Sequence, residues 1–234
     1  MTKSFDEAVS DIATDVTTTT TAVAPAALGS ALVGEVEASD LATPKLDIVQ
    51  KVGELSEEFP SGTILLNRRV VLAEPSQAAS ITVVSAKKYY MEALPFGTEE
   101  RPRVFQTAEE MKAAGLTLQY NNETGDKPTA KVVLECIVLA KAPEGSDAPE
   151  FSVSFDGERY AVAKWMIQSP SAYNGAGKSL LTARTMYLKA FAEQEFLLSA
   201  DKKKFGSNLV FVPDVKQGQR NSEEFISWAT TLLN

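Results

Sequence analysis

Hydrophobic and polar residues alternate with the two-residue period of β-strands over much of the chain after residue 44. Short strands bounded by turn residues are predicted at 63–67, 69–73, 81–91, 196–199 and 208–213. Residues 130–140 are apolar almost throughout, so we expect this strand at the centre of a sheet. Alternation around an Asp-Gly turn predicts a hairpin over 151–160, whose second strand continues to Ile167.

Helical periodicity is confined to a few segments. Thr107 has the character of an N-cap, Glu110 completes a capping box and Gly115 ends the short helix between them. A terminal amphipathic helix is predicted to follow an Asn221 cap, and its apolar side carries Phe225, Trp228, Ala229 and Leu232. Because strands outnumber helices, we predict an α+β fold with two or three helices and an antiparallel sheet, either open or partly closed as an OB-like barrel.

The first 43 residues differ in composition from the rest of the chain. An unbroken threonine run at 17–21 and a shortage of large apolar groups predict a flexible, acidic, Thr/Ala-rich N-terminal arm before a single α+β domain at 44–234. Residues 1–58 hold three lysines against eleven carboxylates, a difference that equals the net charge of −8. The arm is interpreted either as a solvated leader or as a segment that orders against a partner subunit.

Composition also narrows the classes of function. The 234 residues include no histidine, which removes Ser-His-Asp and Cys-His catalysis and the commonest zinc ligand. The single cysteine, Cys136, lies in the predicted central strand, where a buried apolar role is expected. The chain shows neither an apolar run of membrane-spanning length nor a signal peptide. We therefore expect no catalytic residue, no cofactor, no metal and no membrane partner.

Residues 160–191 combine an apolar strand, a glycine-bearing segment and an amphipathic helix. The run from Gly175 to Ser179 is similar to a phosphate-binding P-loop, since a phosphate at the helix N-terminus would meet free N–H groups beside Lys178. The full motif, however, requires a glycine where Ala172 stands. A turn that only reverses the chain is the first interpretation, and a P-loop-like phosphate site is the alternative.

A local excess of positive charge is the second feature that indicates a function. Residues 164–220 carry nine Lys or Arg against four acids, and the interleaved aromatic residues are Trp165, Tyr173, Tyr187, Phe205 and Phe211. Cations beside aromatic platforms are typical of single-stranded nucleic-acid binding. We predict base stacking by Trp165 and Tyr173. The predicted phosphate contacts are Lys164, Lys178, Arg184, Lys202, Lys203 and Lys204, with Arg68, Arg69, Lys87 and Lys88 on neighbouring strands. The alternative places the aromatic rings in the core and the lysines on a solvated face.

Four segments resemble those of uncharacterised bacteriophage-type proteins, namely 46–56, 60–67, 160–165 with Tyr173, and 211–213. The resemblance covers roughly residues 44–234, and such proteins are loosely similar to OB-like single-stranded DNA-binding proteins. Phage proteins of that type often end in an acidic tail, whereas this chain ends in Trp-Ala-Thr-Thr-Leu-Leu-Asn.

The resemblance implies a non-enzymatic protein of the host cytoplasm. Its partners would be single-stranded nucleic acid or other phage proteins, and it would form a homo-oligomer. The alternative is a virion structural or assembly protein whose N-terminal arm contacts neighbouring subunits.

Overall fold

The computed structural model describes residues 43–95, 97–206 and 208–232. The N-terminal arm lies outside these residues except for Thr43, so its flexibility and its subunit contacts stay predictions. Within the described ranges the chain forms two antiparallel sheets and several short helices. No helix there has the length and apolarity that crossing a membrane requires.

Seven strands form the larger sheet. In chain order they are β4 (Ala78–Glu92), β5 (Val104–Phe105), β6 (Ala130–Lys141), β7 (Val153–Phe155), β8 (Glu158–Ile167), β9 (Gln194–Phe205) and β10 (Asn208–Arg220). Across the sheet the order is β10-β9-β4-β6-β8-β7, and β5 pairs with the end of β4. The α+β fold with an antiparallel sheet and a central β6 is confirmed. The two ends of this strand order do not pair with each other in the described residues, so the OB-like barrel is not formed.

A smaller sheet and the helices complete the fold. The small sheet contains β1 (Leu46–Ile48), β2 (Ile64–Leu66) and β3 (Val70–Ala73) in that order. The α-helices are α1 (Leu55–Glu58), α2 (Ala108–Ala113), α3 (Pro170–Ala172), α4 (Lys178–Met186) and α5 (Glu223–Thr231). A π-helical segment, Tyr173–Gly177, joins α3 to α4, and a 3₁₀ turn covers Phe191–Glu193. The described chain thus holds more helical segments than the two or three predicted.

The main core lies on one face of the larger sheet and includes side chains of the small sheet and of α4. Alternation along β6 assigns the faces, because Leu134, Cys136 and Val138 join the main core while Leu139 joins a second cluster with α5. Cys136 is fully buried, and desolvation raises the pKa of its thiol to about 12. Its predicted role as a small buried hydrophobe is confirmed.

Local capping signals were read correctly for α2. The Thr107 hydroxyl accepts a hydrogen bond from the backbone N–H of Glu110 at 3.2 Å. The Glu110 carboxylate reaches back to the N–H of Gln106 at 2.9 Å, one residue earlier than a standard capping box. Gly115 follows the helix with φ at 78°, the left-handed conformation that glycine adopts without strain.

The N-terminus of α5 differs from the prediction by one residue. Ser222 is the N-cap, and its hydroxyl accepts from the backbone N–H of Phe225 at 3.2 Å. Asn221 instead donates to the carbonyl of Ala192 at 2.8 Å, which ties the start of the helix to the 3₁₀ turn. Serine and asparagine are both good N-caps, so composition alone could not separate them.

The outer edge of β10 is protected against pairing with other chains. The side-chain amide of Gln50 donates to the carbonyl of Phe211 at 2.9 Å and accepts from its N–H at 3.0 Å, so one glutamine satisfies both backbone groups. Two residues further along the strand, Pro213 has no N–H to offer. These two devices make β10 a poor template for a further strand.

The same segment of chain also reaches the opposite edge of the sheet. Lys45 forms a parallel bridge with Lys164 of β8, and the N–H of Lys164 donates to the carbonyl of Pro44 at 2.7 Å. Residues 44–50 therefore contact β8 at one end and, through Gln50, β10 at the other. We call residues 44–50 the edge-linking segment.

Gln50→Ala is expected to speed hydrogen exchange at the Phe211 amide and to lower the free energy of unfolding by about 0.5–1.5 kcal/mol. The variant removes both side-chain hydrogen bonds, but the site is exposed and water can replace the lost partners. Exchange followed by NMR is the measurement. Gln77→Ala, at another exposed glutamine, is the matched control and should leave that amide unchanged. Equal Phe211 exchange rates in the Gln50 variant and the unaltered protein would contradict the edge-protection role.

Candidate nucleic-acid interface

Trp165 is a core residue. It is 4% exposed, belongs to the main core and lies opposite Cys136 in the register of β8 with β6. No ring face is left for a nucleic-acid base, so the stacking role predicted for Trp165 is not available. The alternation of buried Ala161, Ala163 and Ile167 along the same strand was the sequence signal that pointed to the core.

The segment around Gly175 is helical and contains no chain reversal. The helix begins at Pro170, where the Ser169 hydroxyl accepts from the N–H of Ala172 at 3.2 Å. Lys178 lies two turns further on, and its N–H already donates to carbonyls within the π-helical segment. Both the glycine turn and the P-loop-like site are therefore wrong, because Lys178 does not stand at a helix N-terminus with free N–H groups.

Gly177 of the π-helical segment allows close packing, whereas Gly175 lies at an ordinary contact distance from its neighbour. A Cβ on Gly177 would lie 2.9 Å from a ring carbon of Tyr173, and one on Gly175 would lie 3.7 Å from the carbonyl of Pro213 in β10. The helix thus rests against the edge strand at this level. A π-helical insertion between two α-helical turns accommodates this approach.

Tyr173 and Lys88 are brought together. Tyr173 is half-buried, and the Lys88 ammonium lies 5.4 Å from the centroid of the Tyr90 ring. Partial burial lowers the pKa of Lys88, but the hydrogen bonds and favourable charge interactions with Tyr90 and Tyr173 outweigh that effect and raise the pKa above its ordinary value. Lys88 is therefore a stable cation with two tyrosines beside it.

Four of the predicted phosphate-binding cations already have partners within the fold. The pairs are Lys164 with Glu135 (3.1 Å), Arg68 with Glu54 (2.5 Å), Arg69 with Glu150, and Arg184 with the carbonyl of Leu188 (3.0 Å). Lys87 is exposed and lies opposite Glu135 in the β4–β6 register. A phosphate would have to compete with the partners of the four paired cations, whereas Lys87 takes part in no ion pair of the described residues.

The three consecutive lysines of β9 stand apart from that set. Past the last pair with β4, Ala78 with Ser199, β9 and β10 continue as a two-stranded ribbon. We call residues 200–205 and 208–213 the lysine ribbon. In the register of its strands, Lys202, Lys203 and Lys204 lie opposite Phe211, Val210 and Leu209. All three lysines are exposed, and no ion pair of the described residues engages them. Phe205, at the end of the ribbon, is 50% exposed.

A groove lies between α4 and the β9–β10 pair. Its volume is 390 Å³, and its lining residues are Lys178, Ser179, Thr182, Ala183, Tyr187, Phe196, Val215 and Gln217. We call it the α4 groove. Phe196 is buried at its floor, whereas Tyr187 is 68% exposed at the end of the helix. None of the described residues that line it is acidic.

Comparison of the chain with models of protein families, with curated proteins and with solved structures gives no match. The resemblance to bacteriophage-type proteins therefore stays a prediction. The candidate interface rests on geometry and charge.

The ribbon and the groove lie on the same pair of strands, β9 and β10, and the helix at 170–186 rests on β10 at Pro213 between them. β10 runs from Gln217 and Val215 in the groove to Leu209, opposite Lys204, and six residues of strand span about 20 Å. Alternation along β9 puts Lys202 and Lys204 on the sheet face that carries Phe196. Of the residues predicted to bind nucleic acid, Lys178 lies at the groove and Lys202 and Lys204 lie on the same sheet face, whereas Lys203 lies on the other face. The sequence patterns did not assign a role to Tyr187 or Phe205, although both are exposed aromatic residues close to these cations.

Proposed function

We propose that this protein binds nucleic acid, without catalysing a reaction, through phosphate contacts of the lysine ribbon. The observation that carries the proposal is the run of three exposed lysines, none of which forms an ion pair with a described carboxylate. These exposed lysines contrast with the rest of the protein, whose net charge is −8. The contrast is informative because an acidic protein repels nucleic acid unless cations are concentrated at one place.

Phosphate binding fits the ribbon better than it fits the paired cations. A lysine without a protein partner gains the full benefit of releasing counterions from the nucleic acid. Arg69 or Lys164 would first have to leave Glu150 or Glu135. The apolar residues opposite the lysines keep the ribbon paired and hold the ammonium groups along one short stretch.

Replacing all three lysines by glutamine, in the variant Lys202→Gln/Lys203→Gln/Lys204→Gln, is expected to weaken binding of a single-stranded oligonucleotide strongly at low salt. The slope of log affinity against log salt should become shallower by about 2, since each phosphate contact on a single strand contributes about 0.7. Fluorescence anisotropy across a salt series measures both quantities.

The matched control is Lys51→Gln/Lys112→Gln/Lys127→Gln, which removes three exposed lysines elsewhere and gives the same net charge. Its affinity and salt slope should stay close to those of the unaltered protein. Equal losses in both triple variants would assign the effect to net charge and overturn the role of the ribbon. Absence of binding by the unaltered protein at low salt would overturn the proposed function itself.

A further inference from the structure

We infer that the α4 groove holds one unpaired nucleobase stacked on Tyr187, which makes the protein prefer single-stranded over double-stranded nucleic acid. This inference rests on the proposed function, because the backbone that carries the base would be held by the lysine ribbon. It assigns the α4 groove as a binding site for a nucleobase and Tyr187 as the residue that determines the preference for single strands.

The size and lining of the groove suit a flat aromatic ring. Its 390 Å³ lies at the small end of the range of about 300–1,000 Å³ that is typical of small-molecule sites. The Tyr187 ring is 68% exposed, so it can offer a face without rearrangement of the core. Phe196 and Val215 supply an apolar floor. An exposed tyrosine ring beside an apolar floor is a platform on which a base can stack.

The polar groups of the groove suit the edges of a base. Gln217 can donate and accept hydrogen bonds, and the hydroxyls of Ser179 and Thr182 can do both. Lys178 is exposed and supplies a positive charge for the adjoining phosphate. No acidic side chain among the described lining residues repels the strand. The groove therefore complements both parts of a nucleotide.

The groove lies on the same two strands as the lysine ribbon, further along β10. Lys202 and Lys204 lie on the sheet face that carries the groove, about 20 Å from it along β10, so a strand held by them has to pass the helix at Pro213 to place a base in the groove. A base within a duplex is paired and stacked, and extruding it costs a few kcal/mol. A base within a single strand is free to enter. Stacking on Tyr187 would consequently favour the single strand.

The experiment compares Tyr187→Ala with the unaltered protein in fluorescence anisotropy, using a single-stranded oligonucleotide and a hairpin duplex. Stacking on one aromatic ring corresponds to a loss of about 5- to 150-fold in single-strand affinity, and the duplex affinity should not change. Tyr187→Phe keeps the ring and should retain the single-strand affinity. Because the side chain is exposed, both variants are expected to fold, and thermal unfolding checks this.

A 2-aminopurine base in the oligonucleotide provides a readout that a purely structural role would not change. Its fluorescence should be quenched by stacking in complexes of the unaltered protein and of Tyr187→Phe, and less so with Tyr187→Ala. Unchanged single-strand affinity in Tyr187→Ala, or an equal loss for single strand and duplex, would overturn the inference. If the ribbon variant loses binding while Tyr187→Ala does not, the result supports nucleic-acid binding and contradicts the base site. If the unaltered protein binds neither probe, the result contradicts both the proposed function and the base site.

Discussion

Trp165→Ala is expected to lower the free energy of unfolding by about 3–5 kcal/mol, the cost of removing a large buried aromatic side chain and leaving a cavity. Trp165 lies in the main core opposite Cys136, on a strand paired to the centre of the larger sheet. The surrounding strands cannot collapse into the space without breaking their register. Urea unfolding followed by circular dichroism measures the change.

A further variant separates burial from nucleic-acid contact at this position. Trp165→Phe keeps most of the apolar volume and should cost much less than the alanine variant. Under conditions where Trp165→Phe is folded, its oligonucleotide affinity should match that of the unaltered protein, because the ring contacts no ligand. A stable Trp165→Ala variant with reduced affinity would show instead that the indole is part of the binding surface.

Gly62→Ala is expected to destabilise the protein by about 2–5 kcal/mol, through two separate effects. Gly62 has φ at 96°, where a Cβ costs about 1–2 kcal/mol. That Cβ would also lie 2.8 Å from a ring carbon of Phe211, and overpacking of this kind costs about 1–3 kcal/mol. The Gln50 amide holds the backbone N–H and carbonyl of Phe211, so relief of the contact would require its ring to change rotamer. Thermal or urea unfolding measures the total.

Gly115→Ala serves as the matched control for the backbone part of that effect. Its φ is 78° and nothing lies within 4 Å of an added Cβ, so only the conformational cost of about 1–2 kcal/mol applies. The difference between the two variants gives the steric contribution at Phe211. Adding Phe211→Leu to Gly62→Ala should recover part of the loss. Equal destabilisation by the two glycine variants would contradict the close contact between Gly62 and Phe211.

Elements that depend on local signals were predictable from the sequence. The hairpin at β7–β8 follows from Asp156 and Gly157, which adopt φ angles of 48° and 80° at a two-residue turn. The central position of β6 follows from its unbroken apolar run. In each case the residues that give the signal are neighbours in sequence, so no knowledge of distant partners was needed.

The helix at 170–186 could not be predicted in full from neighbouring residues alone. Glycines before a lysine were interpreted as a turn, because glycine in a helix interior usually costs stability. The structure places Gly175 against the carbonyl of Pro213 and Gly177 under the ring of Tyr173. A Cβ on Gly177 would lie 2.9 Å from the Tyr173 ring, which explains a glycine there, whereas a Cβ on Gly175 would make an ordinary contact at 3.7 Å. Packing in the main core stabilises the helix in spite of these glycines, through Ala172, Ala176 and Leu180.

The candidate interface could be predicted only in part from the sequence, because it also depends on pairing between residues far apart in the chain. The count of cations correctly drew attention to Lys202–Lys204, but the strands were predicted to stop short of them at 196–199. Polar lysines carry no strand periodicity, and only pairing across to 208–213 makes this stretch a ribbon. Likewise, the partners that occupy Lys164 and Arg69 come from distant parts of the chain. Charge counts cannot show which cations are already paired.

The edge-linking segment has a consequence for how the protein is made. Its hydrogen bonds join Gln50 to Phe211 across 161 residues of sequence. A ribosome adding about 5–20 residues per second needs roughly 8–32 s to synthesise that interval. Throughout this time Gln50 has left the peptidyl-transferase centre while Phe211 does not yet exist. The small sheet can form early from β1, β2 and β3, and the contact of Pro44 with Lys164 can follow once β8 exists, but the β10 rim of the larger sheet can be fastened only after residue 211 has been made. Pauses or truncations before residue 211 would leave nascent chains with an unfastened sheet, exposed to aggregation and to chaperones.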